Sequence, residues 1–494
     1  MAKIVIIGAG VAGLSAGIYA RLAGHEAEIY ESHFKAGGNL TAWDREGYHI
    51  DNCIHWLTGT NRVTKFYKMW ETLGVLGNVP IYQPNSLFTF ERDGKKLSLC
   101  YDIEKLKCDM LDASPEDRKE TIAFIKAVKA FRKMNGVAGK NCEKKSNIFH
   151  KISAVPCLVK YATLTTKGLS ERFKNPLLRD FIRCYMTDHF AALALIMVFA
   201  TFTAGDGALP EGISSAMADR MTERYTSLGG ELYLKKGVSK INLDGKRATG
   251  ITLADGTEVS ADYVISTLDP AVCFGTLLPA ELMPKSLKKS YENPKLRRFS
   301  SHHTAFACDE AELSFEGDTM LEIPEEYREE FSARYLMLRE FSHEKSFAPE
   351  GKNVLQTMVY CMEDDCKKFI ELSADKNAYK ERKESLAKKT EEIIVSHYPE
   401  LRGKLRCLDV WTPATYKRYV NSDIGSFMSF ILPPATALRK LSAKIDGIEN
   451  VFLATQWQQN PGGLPIAAEM GIKAFKRIKR KEKRRGSAGK LALS

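Results

Sequence analysis

At 494 residues, 44% hydrophobic and 27% charged, the chain is too long for one ordinary domain and has the composition of a globular protein. Its net charge of +11 is concentrated at one end: Lys473 to Ser494 hold ten Lys and Arg against one Glu, which is +9, so the body has no basic patch for nucleic acid. Eleven cysteines without a C-x-x-C pair, and ten histidines without ligand spacing, argue against a disulfide scaffold or a metal site and for reduced thiols in a cytosolic compartment.

The first element is the most specific. Ile4 to Ile7 read as a short buried strand, and Gly8, Gly10 and Gly13 then spell G-x-G-x-x-G where a helix should begin. Gly8 allows the tight turn, Gly10 lets backbone approach a pyrophosphate, and Gly13 lets the helix pack on the strand. The helix N-terminus then turns free N–H groups and partial positive charge toward the phosphates. Leu14, Ile18 and Leu22 mark the buried face of that helix. A second strand, Ala27 to Tyr30, ends at Glu31, whose carboxylate is placed to accept hydrogen bonds from a ribose diol.

A second glycine pair, Gly37-Gly38, and a turn at Glu46-Gly47 lead into an extended stretch with Asp51 and His55. Asp51 suits a turn cap better than a proton acceptor, and His55 is open to two readings, a hydrogen-bonded structural histidine or an acid–base group. Mainly helical segments follow to about residue 190. The apolar run Phe190 to Gly205 is shorter than the roughly 20 residues a membrane span needs and reads as a buried helix, one face of which could line a tunnel. From Gly229 the pattern alternates around Asp244-Gly245 and Asp255-Gly256, the mark of consecutive hairpins. Residues 296–420 mix strands such as Val354 to Met362 with a charged helix, Asn377 to His397. The adjacent His302 and His303 would face opposite sides of a strand and could not share a metal. The last informative segment is "NVFLATQWQQNPGGLPIAAEMG", Asn450 to Gly471, followed by the basic tail.

The order of glycine loop, Glu31, Gly37-Gly38, "GYHID", "LPEGISSAMADRMTERYTSLGGELYLKKGVSKI" and the Asn450–Gly471 segment resembles the phytoene desaturase, carotenoid isomerase and retinol saturase branch of the FAD-dependent amine oxidase-like superfamily. The resemblance spans nearly the whole chain, densest over 1–60, 205–275 and 405–475. It implies an α/β fold: a Rossmann-like FAD-binding domain of the p-hydroxybenzoate hydroxylase type with an inserted α+β substrate domain. The FAD domain would comprise 1–90, 205–290 and 425–475, the substrate domain 91–204 and 291–424, and the basic tail 476–494. By the same resemblance Gly8, Gly10, Ala12, Gly13 and Glu31 hold the ADP half of FAD. Gly37, Gly38 and Asn39 approach the pyrophosphate and ribityl chain, Val238 offers backbone to the adenine, and Thr455 meets the ribityl chain. Gly462, Gly463, Leu464 and Pro465 start the closing helix beneath the flavin. The chain departs from the family pattern in having Asn39 after the glycine pair, where an Arg is common, and Ala454-Thr455 in place of an acid-containing pair.

His55, Trp457 and Gln458 are the candidate catalytic residues, on the expectation that "DNCIHW" and "QWQQNP" converge on the flavin ring; Trp457 could equally pack beneath the last helix. With one dinucleotide fingerprint and no second, no NAD(P)H domain is evident. The expected activity is an FAD-dependent desaturase, saturase or isomerase acting on an apolar unsaturated lipid such as a carotenoid, retinoid or fatty acyl chain. The alternatives are a flavin amine oxidase, with Tyr416 and Tyr419 as an aromatic cage, and a flavin-free prenyl-lipid escort of the Rab GDP-dissociation inhibitor kind. A cytoplasmic protein is expected. Its tail is either a peripheral anchor at the inner face of the membrane or a solvated helix end.

Overall fold

The computed structural model describes residues 1–134, 137–139, 142–143, 148–436, 441–442 and 444–491. A five-stranded sheet forms its first layer in the order Glu231–Tyr233, Glu26–Tyr30, Lys3–Ile7, Tyr263–Ser266, Val451–Leu453, with every neighbouring pair parallel. The inner strands Lys3–Ile7 and Tyr263–Ser266 and the last strand Val451–Leu453 are apolar and covered on both faces, while Glu231–Tyr233 forms an exposed edge. The helix Val11–Leu22 packs between the closing helix Leu464–Leu491 and the helix Ile213–Ser227. Leu14 and Ile18 are fully buried as expected, while Leu22 is 46% exposed, because the helix ends there and the chain turns away at Gly24.

Two close approaches depend on glycine. A Cβ on Gly13 would lie 2.0 Å from the Gly8 carbonyl oxygen, and one on Gly471 would lie 2.1 Å from the Ala12 carbonyl oxygen. The first seats the opening helix on its strand; the second lets the closing helix cross it at backbone distance.

A three-stranded antiparallel sheet, Val238–Asp244, Arg247–Leu253 and Glu258–Ser260, forms the expected hairpins. A seven-stranded sheet runs Arg406–Trp411, Phe299–Asp309, Lys352–Met362, Tyr335–Glu340, Thr319–Glu322, Ser86–Arg92, Lys95–Cys100. Its backbone is the register of Phe299–Asp309 against Lys352–Met362 over eleven residues each. Thr319–Glu322 pairs in parallel with Ser86–Arg92, so the expected division at residue 90 falls inside a strand of this second sheet. His302 and His303 point to opposite faces, His302 against Phe331 and Phe369, His303 stacked on Trp411. Helices between residues 103 and 203 close the other side around Phe88, Phe124, Phe181 and Phe199. The charged helix spans Lys376–His397. Cys361 and Cys366 are both buried.

Candidate functional site

Where the parallel sheet, the seven-stranded sheet and the helical layer meet, a cavity of about 1630 Å³ opens. At one end it is floored by the glycine loop. Gly8, with φ +98°, turns the chain, and Gly10, Val11 and Ala12 present the helix N-terminus to the cavity. A Cβ on Gly10 would meet nothing closer than the Gly37 oxygen at 3.8 Å, so the approach to this backbone is open. Gly37 donates its N–H to the Ala9 oxygen at 2.9 Å, and Gly38, with φ +62°, lies against Gly10. Glu31 stands at the rim. Its carboxylate accepts from the backbone N–H of Ala9 at 2.8 Å and of His33 at 2.9 Å, which fixes its position. Asn39, Val238, Thr455, Gly462, Gly463, Leu464 and Pro465 line the same cavity.

The expected His55 lines the cavity, half-buried, with Nδ1 4.0 Å from the Asp318 carboxylate. Burial drives the imidazole pKa well below its usual value, and the Arg339 and His303 charges push the same way, so His55 is neutral. Asp318 is paired with Arg339 at 3.2 Å, and burial lifts its carboxyl to about 6 against the pull of that guanidinium. Arg339 also donates to the Ile54 carbonyl at 3.1 Å, tying the histidine segment to the second sheet. Asp51 is a cap, as its sequence setting suggests: it accepts from the N–H of Ser214 at 2.8 Å and its hydroxyl at 2.7 Å, at the start of Ile213–Ser227.

Two expectations are corrected. Gln458 does not face the cavity; Thr455 and Gln458 form a capping box in which the Gln458 Oε1 accepts from the Thr455 N–H at 3.0 Å. A side chain committed to its own backbone is unavailable to a substrate, and it is Gln456 that reaches the wall, bonded to Gly463 N–H and the Phe427 oxygen. Trp457 touches the cavity wall, but its indole stacks on Tyr291, with centroids 5.6 Å apart, and meets Phe430 edge-on at 5.0 Å. That is the packing role its sequence setting left open. Tyr416 and Tyr419 both line the cavity, but they do not stand together as a cage. Tyr416 is buried and donates to Asn52 Oδ1, whereas Tyr419 is 49% exposed and packs on His33.

The far arm was the least legible part. Ala194, Met197, Val198 and Thr201 line it from one face of the helix Ala192–Thr203, at i, i+3, i+4 and i+7, while Leu195, Ile196, Phe199 and Phe202 fill the core behind. Opposite stand Met337, Met358 and Tyr360 from the seven-stranded sheet, and Trp56, whose indole donates to the Tyr185 hydroxyl at 3.0 Å. The helix face was readable as a tunnel wall from the apolar run Phe190 to Gly205, but no short-range signal marks Met337, Met358, Tyr360 and Trp56, since their partners lie on other elements.

A sequence profile of the family described as Flavin containing amine oxidoreductase matches residues 11–478. The chain belongs to this family. Curated relatives include a prolycopene isomerase of Arabidopsis thaliana, 22% identical over 86% of this chain and 73% of that protein, and a lycopene-forming phytoene desaturase of Paracoccus, 24% identical over 86% of each. Among solved structures, an oxidoreductase from Methanosarcina mazei aligns with a TM-score of 0.61 at 18% identity, covering 97% of this chain and all of that one. Cyclohexylamine oxidase from Brevibacterium oxydans aligns at 0.57 and 14% identity, covering 98% and 99%. These likenesses establish the fold.

As a member of this flavin family the chain is an FAD-dependent oxidoreductase. Its cavity fits the cofactor on its own evidence. A drug-sized ligand needs about 300–1,000 Å³, so about 1630 Å³ has room for a dinucleotide and a substrate. The buried Asn39 Oδ1, Ser426 Oγ and Gln459 Oε1 line it without a hydrogen-bond partner in the protein, the condition of groups that meet a polar ligand.

Proposed function

We propose that this chain is a desaturase, saturase or isomerase that acts on the C–C and C=C bonds of an apolar unsaturated lipid, with a carotenoid-like polyene as the substrate class. The observation that carries the reading is the continuity of the cavity, from the glycine cradle into an arm walled by Met197, Val198, Met337 and Met358. The names of the curated relatives, a prolycopene isomerase and a phytoene desaturase among them, point to the same class.

In this reading Gly10, Ala12 and the helix N-terminus hold the pyrophosphate, Gly8 and Gly13 build the loop, and Glu31 takes the ribose. Gly37, Gly38 and Asn39 border the middle of the cofactor, Val238 borders the adenine, and Thr455 with Gly462 to Pro465 borders the flavin end. Bound FAD supplies hydride exchange with carbon. The protein's own part is physical. Met and aromatic walls exclude water and hold an extended chain, and neutral His55 presents an imidazole that can donate or accept a hydrogen bond beside the arm. Residues 1–85, 205–290 and 425–475 would form the cofactor-binding portion, and 86–204 with 291–424 the substrate portion, which keeps the strand Ser86–Arg92 whole. The basic tail 476–494 contributes attraction to an anionic membrane surface. A retinoid substrate, as in retinol saturase, is a narrower form of this proposal.

The test is anaerobic mixing of the yellow protein with a panel of polyenes, fatty acids and amines. Polyenes should perturb the flavin spectrum and return a product altered at a double bond. Flavin bleaching by amines alone would overturn the reading in favour of an amine oxidase.

A further inference from the structure

Three large apolar side chains stand in water on one short helix. In Ile148–Ala162 the residues Ala154, Leu158 and Tyr161 are buried, while Ile152, Val155 and Val159, at i, i+3 and i+7, are 61%, 51% and 54% exposed. Scattered single apolar residues at a surface need no explanation, but an aligned stripe does. The helix packs against Arg118–Met134, whose core face is Phe124, Val128 and Phe131 and whose outer face shows Lys119, Ile122, Lys126 and Lys133. Of the cations on the two helices, Arg118, Lys119, Lys126, Lys133 and Lys160 are exposed, while Lys129 is paired with Glu104; the single acid on either helix is Glu120. The same pair leads inward, for Phe131, Arg132 and Met134 line the large cavity.

We infer that this helix pair is the face by which the protein rests on an anionic bilayer, with the apolar stripe entering the headgroup region and the lysines meeting lipid phosphates. An apolar stripe beside a cationic one is the pattern of a helix lying in a membrane interface, where buried apolar area and attraction to anionic lipid act together. Two weak signals combine there into stable binding. The position also serves the active site. A substrate insoluble in water leaves the bilayer beside residues that line the cavity, so this inference deepens the lipid reading of the function and rests on it for its purpose. No helix among the described residues is long and apolar enough to cross a membrane, so contact here is peripheral in kind.

The full-length, FAD-loaded protein is sedimented with phosphatidylcholine vesicles and with vesicles of phosphatidylcholine and phosphatidylglycerol. The wild type should favour the anionic vesicles. The triple variant Ile152→Ser, Val155→Ser, Val159→Ser, and separately Lys119→Glu, Lys126→Glu, Lys133→Glu, should each weaken that binding about tenfold while keeping the flavin spectrum. Both variants should turn over substrate supplied in detergent micelles like the wild type. Vesicle binding unchanged in both variants, or absent in the wild type, overturns the inference. So does a change of oligomeric state in sedimentation velocity without a change in vesicle binding, which would make the stripe a contact between copies. A protein that binds vesicles through this face but converts no polyene would keep the inference and discard the substrate class.

Discussion

At the scale of single residues, position in the cavity wall separates groups that touch ligand from groups that hold the wall. Glu31 is fixed by two backbone donors at the rim of the dinucleotide end. Glu31→Ala should therefore cost FAD binding about 1.5–3 kcal/mol, the worth of a hydrogen bond to a charged group, read as release of FAD on dialysis. Gln458→Ala should instead lower the melting temperature, since it removes a cap, and leave the chemistry of the surviving enzyme unchanged. The sequence did contain the signal for that role: Thr455-x-x-Gln458 is a capping box in its own right. Trp457 had no such local marker, because Tyr291 and Phe430 are distant in the chain. Burial among Phe331 and Phe369 pushes the His302 pKa down to about 3. The unfolded imidazole takes its proton near pH 6.5, so below that pH the unfolded state binds more protons and stability falls as the solution is acidified. Relative to His302→Leu, the wild type should lose about 2 kcal/mol between pH 7.5 and 5, measured by urea unfolding at both pH values.

At the scale of elements, legibility follows the distance between partners. The strand–turn–helix of Lys3–Ile7 and Val11–Leu22 and the hairpins from Val238 could be read from sequence because each is complete within a few tens of residues. The pairing of Ser86–Arg92 with Thr319–Glu322 inside the seven-stranded sheet could not, since nothing local chooses a parallel partner so far away. The closing helix shows the same limit. Its charge pattern suggests a tail from residue 476, yet Ile472, Ala474, Phe475 and Ile478 are buried in the core, and Glu482 accepts from the Tyr263 hydroxyl. A chain ending at Gly471 should lose flavin and unfold, because each buried aliphatic or aromatic side chain is worth about 1.5–3 kcal/mol. A chain ending at Arg485 should melt within about 0.5 kcal/mol of the full-length protein, the usual limit for surface changes. Paired thermal melts and flavin absorbance with these two outcomes place the fold boundary between 471 and 485, and a stable, yellow chain ending at Gly471 would move it before that residue.

At the scale of the whole molecule, the cavity exists because two sheets and a helical layer, each with its own core, meet without filling the space between them. The cofactor end is built from the parallel sheet and the far arm from the helix Ala192–Thr203 and the seven-stranded sheet. A change in the arm should therefore leave the cradle intact. Met197 lies on the cavity face of its helix, partly buried, with Thr201 one turn further along. Met197→Trp adds an inflexible aromatic volume to a space now lined by a flexible thioether, which adapts to a long chain where an indole does not. The variant should retain FAD and its absorbance, keep activity toward short unsaturated substrates, and lose about tenfold or more in kcat/KM toward long polyenes, a loss of at least about 1.4 kcal/mol of transition-state stabilisation. Equal loss on short and long substrates would mean that the substitution disturbs the cofactor end as well, and equal retention on both would mean that the long chain runs elsewhere. Rates measured across a series of chain lengths thus map which wall the substrate follows, and Met197→Ala, which widens the same passage, should shift the preference toward bulkier chains.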